Sequence, residues 1–379
     1  MSRIITFIGK AGTGQTTIAI ATAKWFSQQG KEVLFVTQNP SPNAEILLKT
    51  PLTHIPQVVA PNLQALQLQA TTMLDQTWEE VKQLLSLYIP IPDSEEIYSG
   101  ELILLPGFDS LLYFNAMRQY YQSGDYEVIV YDSRGDLETL RMLGIPGMLD
   151  WYFQRFGKMF EGFSLHKIAD SIGGPIASAI VSANVDAAKV QQGLEQIRSW
   201  IAEGTAVVGD PRKLTSYLVT HNEPGAIAET RWLWGSAQQI NLVANGVLAY
   251  QYQESEDISD LQQVFAPLSV TPIPALKEDN WNPLLQALPD FNDNHQAPLP
   301  LKIDLESRQL FVFLPGFTKK QVKLTQHGNE LTVEAGEQRR NIFLPPDLQK
   351  LAIQSGKFEE PYLIVTFEEK QEQGKVIQF

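Results

Sequence analysis

Between an apolar run, Ile4 to Ile8, and a helix-forming stretch, the chain reads Gly9-Lys10-Ala11-Gly12-Thr13-Gly14-Gln15-Thr16-Thr17. Glycines at this spacing let the backbone turn tightly with its N–H groups converging, and a helix starting at the end of the turn adds partial positive charge. Polyphosphate binding is the chemistry such a loop suits. Where the loop ends Gly-Lys-Thr, the lysine reaches the β- and γ-phosphates and the hydroxyl reaches magnesium. Here Gln15 holds the lysine position and Thr16 keeps the hydroxyl, so binding and turnover become separate questions. Asp132 closes another apolar run, Val128 to Tyr131. A carboxylate there can hold a magnesium-bound water opposite Thr16, or serve only as a turn or helix-capping residue.

The elements that must position these groups alternate between strand-like and helical patterns through the first 250 residues. The patterning predicts strands at Ile4 to Ile8, Glu32 to Thr37, Leu63 to Leu68, Glu127 to Tyr131, Thr205 to Gly209, Leu214 to Thr220 and Asn241 to Ala249. Helices are expected from Thr16 and from Thr77, the second carrying a stripe of Leu74, Trp78, Val81, Leu84, Leu85 and Tyr88. A further helical insertion crowds Met148, Leu149, Trp151, Tyr152, Phe153, Phe156, Met159, Phe160, Phe163 and Leu165 into about five turns. This is a subdomain core or an adaptable groove for apolar protein segments. From Lys277 to Pro300 the periodicity fails amid Pro, Asn and Asp, which reads as a linker; beyond it the period becomes two. The expected architecture is α/β: a P-loop NTPase domain with a mostly parallel sheet and helical insertions over 1–280. A linker follows over 281–300, then an all-β sandwich over 301–379.

Composition narrows the function classes. Cysteine is absent, which removes disulfides, thiol catalysis and thiolate-held metal; the five histidines show no metal-ligand spacing. No zinc is expected, and magnesium on a nucleotide is the one metal to look for. The net charge of −14 falls wholly in residues 1–297, since the remainder carries eleven residues of each sign. An acidic body disfavours nucleic acid. No apolar run reaches the length of a membrane span, and the amino terminus reads as a buried strand, so no stable membrane insertion and a cytoplasmic location are expected.

Lys10, placed early in the loop, makes it resemble the deviant phosphate loop of the ArsA/GET family, the arsenite-pump ATPases and the ATPases that target tail-anchored membrane proteins. That family's loop looks like Gly-Lys-Gly-Gly-x-Gly-Lys-Thr-Thr. Gly9, Lys10, Gly12, Gly14, Thr16 and Thr17 match it, whereas Ala11 and Gln15 depart. The resemblance implies ATP or ADP with Mg2+ held by the loop, Thr13 included, with Thr16 and Asp132 at the metal. It also implies a homodimer in which Lys10 reaches the partner's nucleotide. Val33 to Asn43 resembles the family's first switch, with Asn39 where the family has its catalytic aspartate. An amide orients an attacking water less strongly than a carboxylate. Leu104 to Leu111 is similar to the family's Leu-Pro-Gly-x-Asp-Glu segment, and Val128 to Leu143 to its second switch. There Asp132, Ser133, Thr139, Leu140 and Arg141 match, and Arg134 to Glu138 do not. Tyr250-Gln251 falls where the family carries Asn-Gln, so Tyr250 would replace the asparagine that reads adenine; Glu229-Thr230-Arg231 resembles a helix start of the family. With the family's Cys-x-x-Cys zinc site impossible here, a homodimer would rest on the switches, Lys10 or the added module.

The carboxy-terminal part resembles the α-crystallin domain of small heat-shock proteins, through Leu314 to Phe317, Gly328 to Leu331 and Phe343 to Pro345. Gly328-Asn329 supplies the turn of a tight hairpin. Docking on the ATPase body and contacting clients are both open to such a module. Loss of the phosphate lysine, the catalytic carboxylate and the base-reading amide implies weak or lost hydrolysis, at roughly 10²- to 10⁴-fold per polar group. The expected function is nucleotide-regulated handling of hydrophobic protein segments. A non-hydrolysing scaffold, a holdase acting through the sandwich, and an active anion-transport ATPase are the alternatives.

Overall fold

Short runs rich in Ile, Val, Leu and Phe, with no polar alternation, form strands buried on both faces, as a sheet covered by helices on each side requires. In the computed structural model, which describes residues 2–75, 108–161, 187–252, 257–292 and 297–369, these runs are β1 (Arg3–Ile8), β2 (Val33–Thr37), β4 (Leu63–Gln67), β5 (Val128–Asp132), β6 (Leu214–Thr220), β7 (Ala244–Tyr250) and β8 (Val270–Ile273). They are parallel, in the order β4-β2-β5-β1-β6-β7-β8, and β3 (Gln57–Ala60) adds an antiparallel edge beside β4. β1 lies between β5 and β6, so the chain leaves β1, β2 and β5 at one rim of the sheet. Crevices at the carboxyl ends of such strands are where this architecture binds ligands.

The helices in chain order are α1 (Gln15–Gln28), α2 (Asn43–Leu48), α3 (Phe108–Ser123), α4 (Leu137–Glu161), α5 (Ala187–Val208), α6 (Pro224–Gln239), α7 (Ser259–Phe265), α8 (Asn282–Ala287) and α9 (Pro346–Gln349). The chain divides into two compact units. One comprises Met1–Gln67, Tyr120–Arg141 and Val207–Phe379, and so holds the sheet and the carboxy-terminal module. The other comprises Leu68–Gln119 and Met142–Ala206. Within the second, Arg118 lies over the Trp200 ring at 4.3 Å, while Met148 and Tyr152 on α4 are exposed. The stripe from Trp78 to Tyr88, the Leu104 to Gly107 segment, and Phe163 and Leu165 lie outside the described residues.

Two expectations are corrected. Residues 205–208, expected as strand, are the last turn of α5. Ile201, Gly204 and Val208 are buried at helical spacing, and that periodicity overrides the β-branched content of Thr-Ala-Val-Val. The stretch expected as a linker belongs in part to the core of the eight-stranded sheet: Leu284, Leu285, Leu288 and Phe291 join one apolar cluster with Ile5, Phe26 and Tyr217. The Phe291 ring meets those of Trp25, Phe26 and Tyr217 at 5.4, 5.7 and 5.0 Å. Phe291→Ala is therefore expected to destabilise the α/β body by about 3–5 kcal/mol, read as a lowered denaturant midpoint with unchanged slope.

The carboxy-terminal module is antiparallel throughout. A four-stranded sheet, β14 (Leu351–Glu359), β15 (Tyr362–Glu369), β10 (Gln309–Phe313) and β9 (Leu301–Asp304), is joined by a three-stranded one, β11 (Val322–His327), β12 (Glu330–Ala335) and β13 (Gln338–Phe343). His327 pairs with Glu330 across the Gly328-Asn329 turn. The module sits on α6. Trp234 packs on Phe313 and Trp232 on Phe317, and Gln239 Nε2 donates to the Ala335 carbonyl at 3.0 Å. Arg340 is buried at this junction, donating to the Gln238 and Pro300 carbonyls at 3.1 and 3.3 Å and to Asn241 Oδ1. Burial pulls its guanidinium down to about 10.

Candidate functional site

The loop after β1 closes on itself before α1 begins. Thr13 donates through Oγ1 to the Lys10 carbonyl at 2.8 Å and is buried, so it braces the turn from within. Gly9 N donates to the Gly135 carbonyl at 3.1 Å. This ties the loop to the segment that follows β5. Gly14, at φ 91°, is the N-cap of α1. A left-handed backbone there is open to glycine at little cost, and a methyl group at this position would collide with the Tyr250 ring.

A cleft of about 520 Å³ opens in front of this loop, lined by Ala11, Gly12 and Gly14 to Thr17 on one side. Asn39, Pro40 and Asn43 line it from the segment after β2, and Ser133, Arg134 and Asp136 from the segment after β5. The three chain exits at the sheet rim thus meet in one place. Nearby, Asp132 ends β5 opposite Thr37 in the β2–β5 register. It is 1% exposed. The Thr37 hydroxyl donates to Oδ2 at 2.8 Å, and the Thr16 side chain also favours the charged carboxylate. Burial nevertheless pushes the Asp132 carboxyl up to about 7, against the lowering effect of Thr37 and Thr16. Its Oδ1 is buried without a hydrogen-bond partner. A buried carboxylate with one free oxygen beside a loop threonine fits a hydrated magnesium ion, whose charge would offset the desolvation.

The expected lysine position behaves differently from a lysine. Gln15 is 8% exposed, and its Nε2 donates back to the Gly9 carbonyl at 2.7 Å. Its amide is neutral and spends a donor on the loop itself. Asn39 lines the cleft, but its Oδ1 accepts from Ser41 N at 3.0 Å, and its own N–H donates to Thr37 Oγ1 at 3.2 Å. This is an Asx turn, in which the side chain shapes its own backbone.

Lys10 points elsewhere. Its Nζ pairs with Glu223 of the same chain at 3.4 Å, and Glu223 also meets His221 Nε2 at 3.1 Å. Lys10 does not line the cleft. Tyr250 is 7% exposed within the core cluster, its ring against Gly14, its hydroxyl accepting from Leu276 N at 3.2 Å. In this placement the ring supports the loop from behind and offers no face to the cleft; Gln251 beside it is exposed at φ 66°.

Sequence reasoning did not single out Arg134 or Asp136 as cleft residues. The signal available was their position directly after the carboxylate that ends β5. Arg134 Nε pairs with Asp136 at 3.1 Å and Nη1 with Glu138 at 2.9 Å. Asp136 in turn accepts from Thr139 N at 3.1 Å at the start of α4.

Comparison with known proteins agrees with this geometry. Residues 2–267 match the family model described as anion-transporting ATPase, and residues 306–367 match an HSP20-like domain found in ArsA. The chain is 22% identical to a putative arsenical pump-driving ATPase 1 of Aquifex aeolicus, over 96% of this chain and 99% of that protein. It is 26% identical to a putative arsenical pump-driving ATPase of Chlorobaculum tepidum, over 98% of this chain and 97% of that protein. An ATPase ASNA1 homolog of Babesia bovis is 27% identical over 44% of this chain and 42% of its own length. With a family model covering well over half its length, a matching loop and a cleft at the expected sheet rim, the chain belongs to the anion-transporting ATPase family.

Proposed function

We propose that this protein binds ATP or ADP with Mg2+ in the cleft before Gly9–Thr17, turns it over slowly or not at all, and uses the bound nucleotide to regulate the handling of hydrophobic protein segments. The Gln15 amide donating to the Gly9 carbonyl carries the reading. It keeps the loop in a phosphate-cupping shape while withholding the cation that would neutralise charge developing on the transferred phosphoryl group. Thr16 and Asp132 would hold the hydrated magnesium, which supplies charge neutralisation. Asn39 would stand near the attacking water as a neutral partner. The client side is supported by the family together with exposed Met148 and Tyr152 on α4. Met side chains adapt readily to varied apolar partners. A homodimer belongs to the same proposal, with Lys10 released from Glu223 to reach the second protomer.

Arsenite transport is disfavoured because the chain has no thiol to bind the anion. The test is a calorimetric titration with Mg-ATP paired with phosphate release in the same preparation. Saturable binding with phosphate release far below that of a chain carrying lysine at position 15 is expected. Absence of binding would contradict the proposal, as would turnover equal to that of the lysine variant. No described helix is long and apolar enough to cross a membrane.

A further inference from the structure

The cleft has a cation, and it does not come from the loop. Among the described residues lining it, Arg134 alone carries positive charge. A bound polyphosphate brings three or four negative charges beside a neutral Gln15 and an acidic Asp136, so the site needs compensation that backbone N–H groups supply only in part. We propose that Arg134 is the phosphate-binding cation of this site, replacing from the segment after β5 the lysine that the loop lacks. The inference rests on the nucleotide-binding reading above and names the residue that sets its affinity.

Position supports it. Arg134 follows Asp132 and Ser133, and the next residue, Gly135, is fastened to the loop: its carbonyl accepts from Gly9 N at 3.1 Å and its N–H donates to Ser133 Oγ at 3.2 Å. Gly135 also stands at φ 66°, and a side chain there would run into the Gln15 amide. Residues 15 and 135 therefore fit one another, and the backbone that carries Arg134 lies against the very side chain that stands in for lysine. A neutral residue at 15 and an arginine one step from its contact form a coherent exchange of charge between two chain segments.

The guanidinium is free to answer. It is about half exposed, and its two carboxylate partners, Asp136 and Glu138, are themselves partly exposed. Pairs of this kind hold weakly in water, whereas a planar guanidinium meets phosphate oxygens through two parallel hydrogen bonds. Asp136 retains its contact with Thr139 N when the arginine leaves, so the swing does not uncap α4. Binding would then draw the 134–138 segment toward the loop, giving that segment a nucleotide-dependent position.

The experiment is a two-by-two comparison of Mg-ATP affinity by titration calorimetry, using the full chain with Arg134→Gln and Gln15→Lys separately and together; circular dichroism checks that each variant folds. Arg134→Gln alone is expected to weaken binding roughly tenfold or more, the loss of a charge-assisted hydrogen-bond pair. In the Gln15→Lys background the same change should cost less than about threefold, since the restored lysine supplies the charge. Arg134→Lys should fall between wild type and Arg134→Gln. If Arg134→Gln binds as tightly as the unsubstituted chain, or costs the same in both backgrounds, the inference is overturned while nucleotide binding stands. Failure of the unsubstituted chain to bind Mg-ATP would overturn both.

Discussion

A chain carrying Gln15→Lys together with Asn39→Asp is expected to release phosphate from Mg-ATP about 10²- to 10⁴-fold faster than the natural sequence, a change of roughly 3–5 kcal/mol in activation free energy. The lysine places an ammonium where the present amide bonds the Gly9 carbonyl. The aspartate exchanges a neutral oxygen, now occupied by Ser41 N, for a carboxylate with lone pairs to spare for the attacking water. Each single change should give only part of the gain, because the charge-neutralising and water-orienting roles act on one transition state and are not additive. Phosphate release measured at saturating Mg-ATP for the four combinations decides it. Equal rates across all four would mean that neither residue limits turnover.

Gly235→Val is expected to have the largest structural effect, separating the carboxy-terminal module from α6 or unfolding both. The Pro315 carbonyl and the Phe317 ring fill the space a Cβ at 235 would take, and a Cβ at 316 would in turn run into the Arg231 carbonyl. Backbone meets backbone there, so no side-chain rotation relieves the clash. Undocking would strip Arg340 of its bonds to Gln238 and Asn241 and part Trp234 from Phe313. Limited proteolysis and thermal unfolding should show either a released module or a strongly lowered midpoint. Unaltered protection would mean that the two parts are held together elsewhere. The docking also bears on the module's role: the Leu-Pro-Gly-Phe turn, Leu314 to Phe317, that suggested a small heat-shock domain is buried against the ATPase body.

The sheet was legible because its strands are apolar on both faces and short, and the loop because glycine spacing states its own geometry. β1 and β6 lie within a residue of their expected bounds. Residues 205–208 were not legible as helix, since local β-branched content outweighed a periodicity that extends back through α5. α8 was hidden by Pro, Asn and Asp around it; it carries only Leu284 and Leu285 into the core, while Leu288 and Phe291 join the same cluster from beyond the helix end. At the site, Thr16 and Asp132 could be placed from motif and strand end alone. The orientation of Lys10 toward Glu223 and of Tyr250 beneath Gly14 depends on residues more than two hundred positions apart, which no local pattern encodes. Arg134 and Gly135 could be recognised as departures from the family pattern, but their proximity to Gln15 is a tertiary fact.

The central proposal is a loop that holds nucleotide without consuming it. Its most direct measurement is the identity of the nucleotide recovered from the protein after incubation with a stoichiometric amount of Mg-ATP. Bound, intact ATP persisting long after the Gln15→Lys, Asn39→Asp variant has converted its own to ADP is the predicted result. Recovery of ADP from both at the same rate, or of no bound nucleotide from the natural chain, would contradict it.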